Sequence, residues 1–428
     1  MNNVFTVGFS VAKKKNQTQE KHIVLPLAHF RARSEMLCRH VRRTAVAAGR
    51  RALSSAPPIP PNELRLLEQV SRLESRVHEL EEALPARVQP ARITNWDELG
   101  FGITPTNGHV RYTWSAKTSA WDAGRFITDP YINLHVHAGV LHYGMTLFEG
   151  CKAFRCKDGK VRVCNLGANA ARLQRGANRL VMAPVPSKLF VEAVHWAVRA
   201  NAEYVPPYGS GGSLYIRPFL IGSSPVLGLQ PCSEFSFLVS VIPVGNYFGK
   251  GPIQGIDAKI MTEFDRAAPK GTGDVKAGGN YAADLLPLKH AKSEGYGTTL
   301  YLDSSEHKYV EEFSVSNLLG IDKDGKYVTP RTSSILPSIT NEMLMAIAED
   351  RGIPVERRPL EWGELKTFSE VGACGTATVV APIRSITDVE RKYEFGGFET
   401  LNQLREGLQS VQHGEAEDKW GWMVEVAC

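Results

Sequence analysis

The sequence predicts a mixed α/β protein of two domains, and three observations carry that expectation. From Trp96 onward, short apolar runs punctuated by Gly and Pro alternate with segments of helical periodicity. The 428 residues exceed what one core usually encloses. Gly245 to Gly255, with four glycines and Pro252, reads as a linker between halves. The expected division is 1–61 as a basic tail, 62–94 as a heptad-patterned helix and linker, 95–244 as a small α/β domain, 245–255 as an interdomain loop and 256–428 as a larger α/β domain.

Composition narrows the function classes. With 43% apolar and 22% charged residues the chain is ordinary globular material. Its net charge is +5, but residues 1–55 hold eleven Lys/Arg and two acids, a local +9, so the remainder carries −4. A nucleic-acid binder needs its basic excess on the folded part, where phosphates are neutralised; that class is disfavoured. Seven scattered cysteines suggest neither a disulfide framework nor a Cys-rich zinc site and fit a reducing compartment. The densest apolar run, Phe235 to Val244, contains Ser236, Ser240 and Pro243 and is far too short to span a membrane.

The elements follow in chain order. Met36 to Pro58 holds five arginines, no acid and several serines and alanines, the composition of a mitochondrial transit peptide. Thirty-five residues precede it, among them Glu20 and Glu35, so a disordered basic tail on a cytoplasmic protein stays open beside the mitochondrial reading. Leu66, Val70, Leu73, Val77, Leu80 and Leu84 then form an a/d stripe, with Asn62 as N-cap and Pro85 as stop. That helix packs on its own domain or meets a partner helix. Ile132, Leu134 and Val136 alternate with polar residues as a half-buried strand would, and Leu214 to Ile221 and Phe235 to Val244 read as further strands. Helical spacing marks Ala168 to Leu180, Lys188 to Tyr204, Asn341 to Asp350 and Leu401 to Gln412.

The common nucleotide signatures are missing: there is no GxxxxGK[ST], and Gly249-Lys250-Gly251 fails the dinucleotide spacing. His135, His137 and His142 have no acidic or cysteine neighbour in sequence, so no metal is expected. The informative stretch is VKAGGNYAADLL, residues 275–286. A lysine such as Lys276 attacks a carbonyl only if its amine is partly neutral, which burial or nearby cations achieve. Taken alone this is weak, because most lysines beside glycines sit in surface turns.

Its company decides. LHYGMTLFEGCKAFR (141–155), LYIRPFLIGSSPVLGL (214–229) and KAGGNYAADL (276–285) resemble the branched-chain aminotransferases of eukaryotic type, class IV pyridoxal-phosphate enzymes. The resemblance runs from about Trp96 to Val426 and implies the two-domain class IV fold, a small N-terminal and a larger cofactor-binding C-terminal domain, in a homodimer acting on amino acids and 2-oxo acids.

Residue by residue, the resemblance implies that Lys276 forms the internal aldimine with pyridoxal 5′-phosphate and moves the substrate's Cα proton, while Tyr281 hydrogen-bonds the cofactor's phenolic oxygen. Glu312, five residues before Asn317, matches the carboxylate facing the pyridine nitrogen; Glu311 would point the other way. Arg172 matches the phosphate arginine, with Arg175 and Arg179 along the same helix, and the amides of Ile339 and Thr340 open a helix that can hold an anion. Gly375-Thr376-Ala377 matches the turn that gives Thr376 to the phosphate and amides to the substrate carboxylate. Tyr143, Phe148, Tyr247 and Tyr281 match aromatic walls, and Tyr215 and Arg217 offer polar handles for a glutamate side chain unless Arg217 is merely a structural ion pair.

Two departures are visible. The animal enzymes follow that turn with a Cys-x-x-Cys pair, whereas Thr378 and Ala381 stand here, so no thiol switch is expected. Pro287 falls inside the helix expected after Lys276, where an interior proline costs about 3 kcal/mol, and predicts a kink or a short first segment. The implied reaction is ping-pong transamination of Leu, Ile or Val with 2-oxoglutarate. The rivals are another class IV enzyme (a specialised-pathway transaminase, a D-amino acid aminotransferase or aminodeoxychorismate lyase) and a scaffold using the 62–84 helix.

Overall fold

The computed structural model describes residues 88–245, 255–388 and 391–428, with short pieces at 6–7, 23–24, 65, 69–72 and 75. Residues 1–86 form one unit and 87–428 another. In the first, Thr6–Val7 pairs antiparallel with Ile23–Val24, and residues 65, 69–72 and 75 are helical. The arginine-rich segment, the heptad positions other than Val70, and residues 246–254 with Tyr247 lie outside the described residues.

The second unit holds two sheets. The first joins β1 (His109–Ser115), β2 (Ala120–Trp121), β3 (Arg125–Ile127), β4 (Thr146–Phe148), β5 (Cys151–Arg155), β6 (Val161–Cys164), β7 (Ser213–Gly222) and β8 (Glu234–Val244) with the last strand of the chain, β18 (Met423–Val426). All its pairings are antiparallel, in the order β18-β6-β5-β7-β8-β1-β2 with β3 on β1 and β4 on β7. Between β3 and β4 lies the short α1 (Gly139–Tyr143), and α2 (Leu166–Arg179) and α3 (Ser187–Arg199) bury their apolar stripes in the sheet's core. Phe237 at its centre stacks on Phe190 at 5.7 Å and meets the edge of Trp121 at 6.4 Å.

The second sheet contains β9 (Ile256–Met261), β10 (Thr298–Leu302), β11 (Val310–Phe313), β12 (Asn317–Asp322), β13 (Tyr327–Pro330), β14 (Val355–Arg358), β15 (Phe368–Gly375), β16 (Val379–Thr387) and β17 (Lys392–Glu394). It runs β11-β10-β9-β16-β15-β12-β13-β14, and β11 also pairs with β12, so six strands close into a ring. The closing pair is Glu312 opposite Asn317. Ring closure removes the edges of the strands it joins, and almost every residue of β11, β12 and the adjoining β13 is buried. The helices of this half are α4 (Gly278–Ala282), α5 (Leu285–Ser293), α6 (Ile339–Asp350) and α7 (Glu399–Gln412).

The strands expected at 214–221 and 235–244 and the helices expected at 168–180, 341–350 and 401–412 form where periodicity places them, while the helix expected at 188–204 ends at Arg199 and is followed by a separate 3-10 turn at Ala202–Tyr204. The strand expected at 132–137 does not. Ala138 N–H donates to His135 O at 2.8 Å and His137 N–H to His135 Nδ1 at 3.0 Å, so the chain turns there and Val136 stays 68% exposed. Alternation supplied a face, but no strand pairs with it. The helix after Lys276 breaks as Pro287 requires: α4 ends after five residues, and Pro287 falls in the first turn of α5, where an N–H has no intrahelical acceptor. The final strand leaves the second half and pairs with β6, so the sheets do not follow the 256–428 boundary. Among the described residues no helix is long and apolar enough to cross a membrane, and no His/Cys/Asp/Glu group has metal-binding geometry; the His137 ring stacks on His142 at 5.5 Å and lies tilted against His135 at 5.6 Å.

Removing residues 423–428 strips β6 of one of its two partners, leaving it an edge strand on β5 with Val161 and Val163 uncovered, besides deleting buried Val426. We expect a loss of about 2 kcal/mol or more in denaturant unfolding; an unchanged midpoint would show the terminal strand to be dispensable.

Candidate active site

Lys276 ends the loop from β9 to α4 and is pinned from both sides. Phe148 N–H donates to Lys276 O at 3.1 Å, and Leu147 bridges Ala277, which ties the lysine to β4 of the other sheet. Gly278 is required for this approach, because a Cβ there would lie 2.7 Å from Thr146 Cγ2. The Lys276 side chain enters a cavity of about 490 Å³ that also receives Phe148, Arg172, Tyr215, Arg217, Tyr281, Ile339, Thr340, Thr376 and Ala377. Ten sequence-selected residues, counting Lys276, thus meet at one place.

Within it, Lys276 Nζ donates to Tyr281 Oη at 2.9 Å and lies 4.8 Å from the centroid of the Phe148 ring. Phe148 and Tyr281 meet edge to face at 4.8 Å. Among the described residues no carboxylate pairs with the amine. Burial, reinforced by the Arg172 charge, lowers it to about 7. Burial also pushes the Tyr281 hydroxyl up to about 12, so at neutral pH it keeps its proton.

Glu312 is 2% exposed and accepts from Leu336 N–H at 2.9 Å. Its Oε1 lies 2.6 Å from Nη1 of Arg266, a residue the sequence reading missed because a loop arginine carries no motif. Burial raises the Glu312 carboxyl to about 7, with Arg266 opposing. Glu311 is buried as well, on the other side of β11, where the Ser334 and Thr332 hydroxyls donate to it.

Two residues after Leu336, Ser338 caps α6 by accepting from Asn341 N–H at 3.1 Å, and the first amides of α6, at Ile339 and Thr340, have no intrahelical acceptor. Arg172 is buried on α2, whereas Arg175 and Arg179 are exposed on the same helix. Its guanidinium is already engaged: Nε and Nη2 donate to Glu149 at 2.8 and 2.7 Å, and Nη1 to Pro337 O at 2.8 Å. Of five N–H donors, two remain. Glu149, fully buried and also held by Asn169 at 2.7 Å, was visible only as part of the FEG motif.

The turn after β15 is strained: Val379, β-branched, has φ +63°. Two contacts fix it. Thr376 Oγ1 donates to Gly150 O at 3.3 Å, and Lys152 Nζ donates to Ala377 O at 2.8 Å. Burial lowers the Lys152 amine to about 8. Arg217 has no carboxylate partner among the described residues, which removes the structural ion-pair reading. Nη2 donates to Tyr215 Oη at 3.0 Å, the guanidinium lies 4.8 Å from the Phe148 centroid, and buried Nε is unpaired.

Tyr143 does not join this cavity. Helix α1 ends at Gly144 with φ +58°, which turns Tyr143 outward, and its hydroxyl donates to Leu227 O at a separate cavity of about 300 Å³.

The family model for class IV aminotransferases matches residues 146–386. The chain belongs to the class IV aminotransferases. It is 42% identical over 334 residues to the branched-chain-amino-acid aminotransferase of Helicobacter pylori, covering 78% of this chain and 98% of that one. It is equally similar, 42% over 345 residues, to Transaminase AMT5 of Alternaria alternata, covering 78% and 92%. Among solved structures, the branched-chain amino acid aminotransferase of Escherichia coli superposes with a TM-score of 0.62 at 28% identity, over 74% of this chain and 99% of that one. Another branched-chain amino acid aminotransferase, solved with pyridoxamine 5′-phosphate, gives the same TM-score of 0.62 at 26% identity. This aminotransferase is therefore a pyridoxal-phosphate-dependent transaminase of the branched-chain type.

The residues suit that cofactor chemically. The cavity holds an amine without an acid partner among the described residues for its aldehyde, and a helix N-terminus with an arginine for its phosphate. The buried acid Glu312, bonded to the amide of the lining residue Leu336, suits its ring nitrogen. Only the neutral amine attacks an aldehyde, so the rate at which apoprotein captures pyridoxal phosphate should rise with pH through about 7 and level off above about 8. Stopped-flow absorbance measures this; a rise confined to pH above about 9 would show Lys276 to have an ordinary amine.

Proposed function

We propose that this aminotransferase exchanges amino groups between the branched-chain L-amino acids Leu, Ile and Val and 2-oxoglutarate, by a ping-pong mechanism centred on Lys276. The observation that carries the reading is Arg217: a half-buried cation with no acid partner among the described residues, its buried Nε unpaired, set against Phe148 and Tyr215. Those rings suit an aliphatic side chain, and the guanidinium suits the distal carboxylate of glutamate or 2-oxoglutarate, a bidentate match that lysine would lack.

Pyridoxal phosphate, when bound, supplies the carbonyl that accepts and returns the amino group and the ring that takes up the electron pair of the broken Cα–H bond. In this reading the Lys276 amine would hold the cofactor by its aldehyde and would carry the substrate's Cα proton. Tyr281 orients Lys276 and the ring oxygen. Glu312, as a carboxylate, would face the ring nitrogen and keep the proton on it. Arg172, Thr376 and the amides of Ile339 and Thr340 hold the phosphate, and the amide of Ala377, in a turn braced by Lys152, meets the substrate carboxylate. Tyr247 remains a proposed wall residue.

A homodimer is proposed too, supported by a run of exposed apolar side chains unusual on a monomer: Val136, Leu141, Leu227 and Leu229 are 68, 59, 82 and 86% exposed. Sedimentation at micromolar concentration should return twice the chain mass. For the basic tail we propose mitochondrial import, to be tested by the mass of the mature N-terminus.

The similarity to Transaminase AMT5 favours a second reading, a specialised-pathway transaminase with a retuned pocket. Comparing turnover of leucine, phenylalanine and D-alanine separates the two: leucine should be fastest by about tenfold or more. Arg217→Met should slow the 2-oxoglutarate half-reaction about 100-fold while the leucine half-reaction falls less than about tenfold. Equal losses in both halves would sink the shared-pocket reading.

A further inference from the structure

Arg266 belongs to a surface loop, yet its side chain is only 3% exposed because it turns inward to Glu312. Its neighbour Asp265 does the opposite and pairs with His307 at the surface, at 2.9 Å. The loop cannot swing free, since Ser333 Oγ donates to Pro269 O at 2.7 Å and Gly273 sits where a Cβ would lie 2.0 Å from Ser334 O. Ten residues beyond Arg266 the same loop delivers Lys276.

The contact is one of charge more than of an aligned hydrogen bond. Nη1 is 2.6 Å from Glu312 Oε1 but forms no hydrogen bond in that geometry, while Leu336 N–H supplies the aligned donor. Glu311, the next residue along β11, is also buried and leaves Oε2 unpaired. Arg266 is therefore the cation serving two buried carboxyl groups, and its field reaches Tyr281 and Tyr301 as well.

We propose that Arg266 is a positioning residue for transamination, which keeps Glu312 a carboxylate in fixed orientation and so holds the proton on the cofactor's ring nitrogen without touching substrate. This rests on the reading of Glu312 given above. A buried carboxyl with one backbone donor and no cation takes up a proton in preference to staying charged. Burial already carries Glu312 up to about 7 with Arg266 present, so removing the guanidinium leaves it neutral at working pH. A neutral acid accepts or donates a hydrogen bond at the ring nitrogen but does not stabilise positive charge there.

The test is a double-mutant cycle on the loaded enzyme with Arg266→Met, Glu312→Gln and the pair, reading leucine kinetics, pyridoxal phosphate affinity and the visible spectrum of the bound cofactor. Arg266→Met should lower kcat about 30-fold with KM for leucine changed less than about threefold, and should alter the spectrum in the same direction as Glu312→Gln. In the Glu312→Gln background the same change should cost less than about threefold, because the group it acts through is gone. Arg266→Lys should recover part of both readouts. Losses that multiply in the pair, or a wild-type spectrum in Arg266→Met, overturn the proposal. A Glu312→Gln enzyme with unaltered spectrum and rate overturns the role of Glu312 itself, which distinguishes the two failures. Should Arg266→Met not fold, Arg266→Gln enters the same cycle with the same expectations.

Discussion

A primary amine buried without an acid partner is the constraint on which the rest of this site depends. A charged ammonium in such surroundings costs several kcal/mol, so the group relieves the penalty by losing its proton. Arg172 and Arg217 add to the pressure on Lys276 by charge, while Glu149 and Glu312 relieve it. Neither carboxylate pairs with the lysine, because each is held by an arginine: Glu149 by the fork of Arg172 and Glu312 by Arg266. The two ion pairs thus supply countercharge to the cavity while leaving the amine free.

That division of charge needs a scaffold that brings distant segments together without play. The ring of six strands in the second half places Glu312 and Asn317 directly opposite each other, with Asn317 lining the cavity. Strand β4 of the first half holds the backbone at Lys276, and β5 sends Lys152 across to the turn at Ala377. Gly278 and the strained Val379 mark the two points where the backbone approaches most closely or bends most sharply. Both flank the cavity, as expected where local preference yields to the geometry of a site.

What was legible in the sequence follows the same physics. Helices α2, α3, α6 and α7 announce themselves by a face that must be buried, and β7 and β8 by apolar runs between turn residues. Motif spacing brought Lys276, Tyr281, Arg172 and Arg217 to one cavity because those motifs encode backbone approach as well as side-chain identity. The alternation at 132–137 misled, since a strand needs a partner that the sequence cannot display. Tyr143 and the terminal strand β18 went astray for a related reason: a left-handed glycine and a return across the fold are decisions of tertiary structure. Arg266 and Lys152 were invisible, because a loop arginine or a strand lysine acquires meaning only from what lies opposite it.

Arg172 and Arg217 show how one residue type serves two purposes in the same cavity. The first is clamped by a bidentate carboxylate and a carbonyl, with two N–H groups left over, an arrangement that costs entropy once, on folding, and then presents a fixed donor pair. It suits a ligand group that stays in place through a whole catalytic cycle. The second is held by one hydroxyl and two ring faces, contacts worth only about 0.5–2 kcal/mol each, and keeps a buried N–H unpaired. Under the proposed function this looseness is what alternate substrates require: an incoming carboxylate outcompetes the rings for the guanidinium, and a leucine side chain leaves it where it lies.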